Sequence, residues 1–218
     1  MIGHVLGLDL GQAGDYTALS VLEWRLDPVS SQRRYAIRHL ERFRRVPYDR
    51  IVTAMAGSLD LPPLKGTGSV MVVDSTGVGL AVVDMFRAAG LGTLIEPLVI
   101  TGGEKAYGPS PDNRTWRVPK RDLAITVQVL LQGGRLKIGP KVPNAEVLVQ
   151  ELQKFKVKIS LAGKDTYEAW RDGDHDDLVL SVAMAAWFTE HVSGGRVIRP
   201  GDVVLGKTVF GDATEFRW

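Results

Sequence analysis

The pattern of apolar and polar positions in the first hundred residues predicts strands of two kinds. Segments 4–10 and 15–24 are apolar on either side of a glycine turn, which predicts a β-hairpin, and residues 34–44 alternate as a third antiparallel strand. Residues 69–73 and 94–100 are short apolar runs, typical of strands that are buried on both faces of a parallel sheet. We therefore predict a mixed five-stranded sheet that joins an antiparallel meander to parallel strands.

Helical periodicity separates and follows these strands. Apolar residues recur three and four positions apart in residues 47–59, 79–89, 120–131 and 145–155, so each segment is predicted to be a helix with one buried face. Residues 178–188 are apolar all round, which predicts a helix buried against the sheet. The fold class is therefore α/β, with helices flanking the sheet.

The last third of the chain contains a further turn pattern. Residues 157–161 and 166–170 flank the turn sequence Ala-Gly-Lys-Asp, which predicts an added β-hairpin. Residues 193–218 show no clear period. We expect one domain over residues 1–192 and a C-terminal tail, 193–218, to which the sequence assigns no function.

Composition excludes several classes of protein. The 218 residues include no cysteine, so disulfide scaffolds, zinc ribbons, thiol nucleophiles and iron–sulfur clusters are excluded. Any metal site must use carboxylates or the four histidines. The chain has neither an apolar run of membrane-spanning length nor the layout of a signal peptide at its start, so we expect a cytoplasmic protein with no membrane partner.

Three groups of carboxylates stand at the ends of predicted elements. Asp9 ends the first strand, Asp74 ends the buried strand, and Asp176 and Asp177 precede the apolar helix. Open α/β sheets hold their ligands at the carboxyl ends of the strands, and oxygen ligands alone favour Mg²⁺ or Mn²⁺. Each group also has a structural explanation, since Asp9 suits a turn, Asp74 suits a helix N-cap, and acids at a helix start suit its dipole.

The order of these motifs carries a resemblance. Gly-Leu-Asp at 7–9, Gly-Asp-Tyr-Thr-Ala-Leu at 14–19, Val-Val-Asp-Ser-Thr-Gly-Val-Gly at 72–79 and His-Asp-Asp-Leu-Val at 175–179 resemble the nuclease domain of the large terminase subunit of tailed bacteriophages. The likeness spans roughly residues 3–190. It implies an RNase H-like fold and an endonuclease that uses two Mg²⁺ or Mn²⁺ ions to cut double-stranded DNA during genome packaging, in the cytoplasm of the bacterial host. The residues that it implicates are Asp9, Asp74 and Asp177 as catalytic metal ligands, Asp176 as a further metal ligand, and Asp15 and His175 as accessory groups.

The same resemblance implies partners. Large terminase subunits carry an ATPase domain before the nuclease and work with a small terminase subunit and a portal. Here the first predicted strand begins almost at Met1. We expect either an excised domain or a nuclease encoded apart from its packaging ATPase.

Local charge supports a DNA partner, although the net charge is only +2. Basic residues are dense between 114 and 141 and around the predicted second hairpin, where they could follow phosphates or simply form a solvated face. The third strand also carries many arginines between 33 and 45, which we expect to protect an exposed sheet edge. The candidate DNA contacts are Lys120, Arg121, Lys156, Lys158 and Lys164.

Other functions remain open. The Gly-Leu-Asp-Leu-Gly run at 7–11 also suits an actin-like ATPase fragment, but that class needs two such domains. Residues 201–208 match a Walker A pattern, yet no helix is predicted after Lys207, so we expect a chance match. A resolvase, a transposase or a DNA-binding module without activity would share the predicted fold.

Overall fold

The computed structural model describes residues 2–11, 15–77, 79–109, 115–139, 141–161 and 176–192, together with the backbone of 203–204 and 207–208. Only the backbone of 156–161 is included. The strands are β1 (Ile2–Asp9), β2 (Tyr16–Leu26), β3 (Arg33–Arg44), β4 (Val70–Asp74), β5 (Leu94–Thr101), β6 (Trp116–Pro119), β7 (Leu136–Ile138), β8 (Val203–Val204) and β9 (Lys207–Thr208). The helices are α1 (Tyr48–Leu59), α2 (Gly79–Ala88), α3 (Lys120–Gln132), α4 (Ala145–Leu161) and α5 (Asp177–His191).

Seven strands form one mixed sheet in the order β6-β5-β4-β1-β2-β3-β7. Strands β1, β2 and β3 make the antiparallel meander, while β4, β5 and β6 continue the sheet parallel to β1. All five predicted strands are present, and the mixed architecture is confirmed. The predicted number of strands was too small, because β6 and β7 at the two edges have only four and three residues, too few to show a period.

Two hydrophobic clusters lie on opposite faces of the sheet. Helices α1 and α2 cover one face, and α3, α4 and α5 cover the other. Helix α5 is buried all round, as predicted, and its backbone reaches β1 at Gly7, where an added Cβ would lie 1.8 Å from the carbonyl oxygen of Ser181. Only glycine lets this helix approach the strand so closely.

The first strand of the predicted added hairpin, residues 157–161, is helical in the structure. Residues 157–161 continue α4, because no glycine or proline interrupts the helix between Ala145 and Leu161. The alternation of apolar and lysine residues that suggested a strand is therefore carried by a helix. The second predicted strand, 166–170, lies outside the described residues.

The tail contributes one local observation. Strands β8 and β9 pair antiparallel, so Lys207 lies in a strand and not at the start of a helix. This matches the expectation that the Walker A pattern is a chance match, since a P-loop lysine opens a helix. No helix in the described part of the chain is long and apolar enough to cross a membrane.

Candidate functional site

Asp9 and Asp74 lie side by side at the carboxyl ends of two neighbouring parallel strands. The register pairs Leu8 with Val73, which brings the residues that follow next to each other. Both side chains are nearly inaccessible, with each residue 8% exposed. The two carboxyl groups are close enough to shift each other's pKa.

The electrostatics of this pair are those of crowded acids. Burial raises the pKa of Asp9 well above its ordinary value, and the charges of Asp74, Asp177 and Asp176 raise it further. Burial also raises the pKa of Asp74, although hydrogen bonds from Thr76 oppose the rise. The structure therefore gathers the four predicted metal-site acids into one neighbourhood.

Two cations enter that neighbourhood from other elements. Arg42 of β3 donates from Nη2 to Oδ2 of Asp177 at 2.9 Å. Lys120, the first residue of α3, donates from Nζ to Oδ2 of Asp176 at 2.7 Å, and its charge lowers the pKa of Asp9. Each acid at the start of α5 thus has a basic partner in this structure.

Arg42 is held by more than its ion pair. Its guanidinium lies 3.8 Å from the centre of the Tyr16 ring, which is a close cation–π contact. Its Nη1 atom lies 3.8 Å from Oε1 of Glu151 on α4. The arginine therefore joins β2, β3, α4 and α5 at the edge of the acidic group.

Glu151 is a site residue that the sequence analysis did not identify. Its Oε2 atom accepts hydrogen bonds from the backbone N–H groups of Leu178 at 3.0 Å and Val179 at 3.1 Å, and so caps the first turn of α5. Burial raises the pKa of Glu151 to about 7, against the opposing effect of the Val179 hydrogen bond. The sequence does contain a clue, because this glutamate interrupts the apolar stripe of α4 between Leu148 and Phe155.

The predicted DNA contacts have varied positions. Lys120 lies inside the acidic group, with its side chain 14% exposed, and not on an open face. Arg121 is exposed and donates to the backbone oxygen of Glu104. The side chains of Lys156 and Lys158, and all of Lys164, lie outside the described residues.

The two accessory candidates are not brought into the group by the described structure. Asp15 is exposed at the start of β2 and lines a cavity of about 340 Å³ together with Gly11, Arg45 and Tyr48. It is not among the charges named above that shift the pKa of Asp9. His175 lies outside the described residues.

Comparison with models of known protein families shows which family the chain belongs to. The model of the terminase RNase H-like domain family matches residues 6–186, which is most of the chain. The chain belongs to this family. The terminase RNase H-like domain described here has no significant match among curated protein sequences.

Several solved structures are similar to this chain. The large terminase nuclease of the thermophilic phage G20c is 19% identical, with a TM-score of 0.52, over 87% of this chain and 82% of that one. The nuclease domain of the bacteriophage SPP1 large terminase, solved with bound Mn, is 15% identical with a TM-score of 0.48, over 86% of each chain. Thermus thermophilus RuvC is 14% identical with a TM-score of 0.44, over 91% of this chain and 99% of that one. The family match and the similarity to the G20c domain confirm the RNase H-like fold.

The acids of this terminase domain fit a divalent ion in part. Asp9 and Asp74 are adjoining buried carboxylates. A cation between them would offset the burial that raises both pKa values and the neighbouring negative charges that raise the pKa of Asp9 further. Among the described residues, however, no three acids or histidines are grouped closely enough to hold a metal ion. Asp176 and Asp177 face Lys120 and Arg42 instead, so joining the site requires them to exchange a basic partner for the metal.

Proposed function

We propose that this terminase domain is a divalent-metal-dependent endonuclease that cuts double-stranded DNA during viral genome packaging. The observation that carries the proposal is the adjoining, buried pair of Asp9 and Asp74 at the ends of β1 and β4, with the acids of α5 beside it. Family membership supports the same reaction. The related large terminases of G20c and SPP1 are named as nucleases, and one of them was solved with Mn.

Asp9, Asp74 and Asp177 would hold two Mg²⁺ or Mn²⁺ ions, with Asp176 as a further oxygen donor. Carboxylate oxygens are the ligands that both metals accept. Divalent ions supply an activated water and stabilise the negative charge that develops as a phosphodiester bond breaks. A bound cation would offset the negative charge of the buried Asp9 and Asp74 carboxylates.

The surrounding residues position these acids. Glu151 orients the first turn of α5 through its two backbone hydrogen bonds, and Arg42 orients the Asp177 carboxylate. Lys120 offsets the charge of Asp176 while the metal is not bound. These contacts hold the acids of α5 near the strand ends, where each would exchange its basic partner for the metal.

The partners proposed for the domain follow from its family. We propose that it acts with a packaging ATPase domain, a small terminase subunit and a portal, in the cytoplasm of the bacterial host. These partners are compatible with an excised domain and also with a nuclease that is encoded separately from its ATPase.

A plasmid-nicking assay tests the proposal. We expect supercoiled plasmid to be nicked and linearised with Mg²⁺ or Mn²⁺ and to stay intact with EDTA. The ATPase alternative instead predicts ATP hydrolysis without nicking. No cleavage with either metal at any enzyme concentration would contradict the nuclease proposal.

A further inference from the structure

The arginines of β3 differ in whether they have an acidic partner. Three of them face a carboxylate: Arg34 pairs with Asp27, Arg38 with Glu23, and Arg42 with Asp177. Arg44 and Arg45, at and just beyond the end of the strand, are exposed and form no ion pair within the described residues. Arg33, at the other end of β3, also has no ion pair among the described residues, but it is only partly exposed and its guanidinium lies 5.3 Å from the centre of the Trp24 ring. The exposed arginines without an acidic partner are therefore at the end of β3 that lies nearest the acidic group.

Arg44 lies beside that group on the same face of the sheet. It follows Arg42 by two residues, so both side chains lie on one side of the strand. Both guanidinium groups contact the Tyr16 ring, at 3.8 Å for Arg42 and 5.5 Å for Arg44. A single tyrosine ring thus separates the free Arg44 from the arginine that binds Asp177.

Arg45 extends the basic surface around the end of the strand. Its φ of 55° is in the left-handed region, which residues other than glycine rarely adopt, and it turns the chain from β3 towards α1. The residue lines the cavity that also contains Gly11 and Asp15. The register pairs Asp9 with Ala18 and Ala18 with Arg42, so Arg42 is level with Asp9 at roughly 10 Å across the sheet, and Arg44 lies two residues further along β3.

We propose that Arg44 and Arg45 bind backbone phosphates of duplex DNA on one flank of the acidic site. The inference rests on the proposed function for the identity of the duplex, but it concerns binding and not cleavage. Exposed arginines without acidic partners are suited to phosphates, which they contact with two parallel hydrogen bonds.

Salt-dependent binding of a short fluorescent duplex tests this inference. Affinity is measured over a range of KCl concentrations for the wild type in EDTA and for an Asp74→Asn background in Mg²⁺. For the double variant Arg44→Gln/Arg45→Gln, we expect weaker binding and a salt slope smaller by about two, because each lost phosphate contact lowers the slope by about one. Arg44→Lys/Arg45→Lys should keep most of the slope, since the charges remain.

The matched control removes two arginines elsewhere. Arg34→Gln lies at the opposite end of β3, and Arg87→Gln lies in the last turn of α2. We expect this double variant to keep the wild-type slope. Equal slopes for both double variants, or no duplex binding in either condition, would overturn the inference.

Failure of this inference can be told apart from failure of the proposed function. If the wild type nicks plasmid but the Arg44 and Arg45 variant binds with an unchanged slope, the nuclease proposal stands and the binding surface is elsewhere. If no cleavage is found but the slope falls as expected, the surface is correct and the domain binds DNA without cutting it. Unchanged thermal unfolding of both double variants establishes that the fold is intact.

Discussion

Arg42 and Asp177 form an ion pair of 2.9 Å between residues that are 135 positions apart in the chain. The pair connects the end of the antiparallel meander to the first residue of the buried helix α5. Both side chains are only 15% exposed, so water screens the pair weakly. The position of the α5 acids therefore depends on β3 as well as on α5 itself.

Replacing this arginine should destabilise the fold. Arg42→Gln leaves Asp177 and Glu151 without their buried cation, and we expect the free energy of unfolding to fall by about 3 kcal/mol, the lower end of the cost of breaking a buried pair. The control Arg34→Gln breaks a pair with Asp27 in which the arginine side chain is 48% exposed, and it should cost much less. Denaturant unfolding of both variants measures the difference, and equal losses would contradict the role given to Arg42.

Asp74→Asn should abolish cleavage and leave the fold intact. The variant removes one charge from a crowded group of acids, so we expect the free energy of unfolding to stay the same or rise. Nicking at saturating Mn²⁺ and denaturant unfolding check the two parts of this prediction. Asp84→Asn on the exposed side of α2 is the matched control and should cut at the wild-type rate. Unchanged nicking by Asp74→Asn would contradict the metal site.

Asp176 and Asp177 should differ in their effect on the metal. We expect Asp177→Ala to lose one bound ion and all activity, and Asp176→Ala to keep both ions with lower activity. Calorimetric titration with Mn²⁺ counts the ions that each variant binds. Loss of an ion by Asp176→Ala, with both retained by Asp177→Ala, would reverse the assignment.

Gly7 should be intolerant of any side chain. An added Cβ would meet the Ser181 carbonyl oxygen, so Gly7→Ala must push α5 away from β1, and we expect a loss of about 3 kcal/mol, the upper end of usual overpacking costs. Gly57→Ala in α1 is the matched control, because no atom lies within 4 Å of its added Cβ. That variant should gain about 0.5–1 kcal/mol from helix propensity. Chemical denaturation measures both, and a neutral Gly7→Ala would be inconsistent with this packing.

Glu151 should make stability depend on pH. Its folded pKa, raised to about 7 by burial, exceeds the ordinary value of 4.5, so the folded state binds the proton more tightly than the unfolded state. Stability from this group is present below pH 4.5 and is lost as the pH rises through about 7. The free energy of unfolding of the wild type should therefore fall relative to that of Glu151→Gln as the pH rises from 5 to 8. Denaturant unfolding at these two pH values measures the change. The control Glu146→Gln, at the exposed start of the same helix, should show the same dependence of unfolding free energy on pH as the wild type. If Glu151→Gln also showed the wild-type dependence on pH, the prediction would be contradicted.

The sequence alone determined the main elements and the central acids. The five predicted strands and the five helices each show a local pattern, either a repeating period or a continuous apolar run, so their positions follow from the order of apolar and polar residues. Asp9 and Asp74 were identified for the same reason, because each directly follows an apolar strand. Where a local pattern suited two structures, as in the alternating residues 157–161, the sequence did not decide between strand and helix.

Only the tertiary structure decided which cations and caps accompany those acids. Arg42 reaches Asp177 across 135 residues, Lys120 reaches Asp176 across 56, and Glu151 caps α5 from 27 residues away. The order of apolar and polar residues along the chain does not predict such pairings, because they depend on how the sheet brings β3, α3, α4 and α5 to one edge. The edge strands β6 and β7 also escaped prediction, since three or four residues gain their strand conformation from hydrogen bonds to neighbouring strands and not from their own pattern.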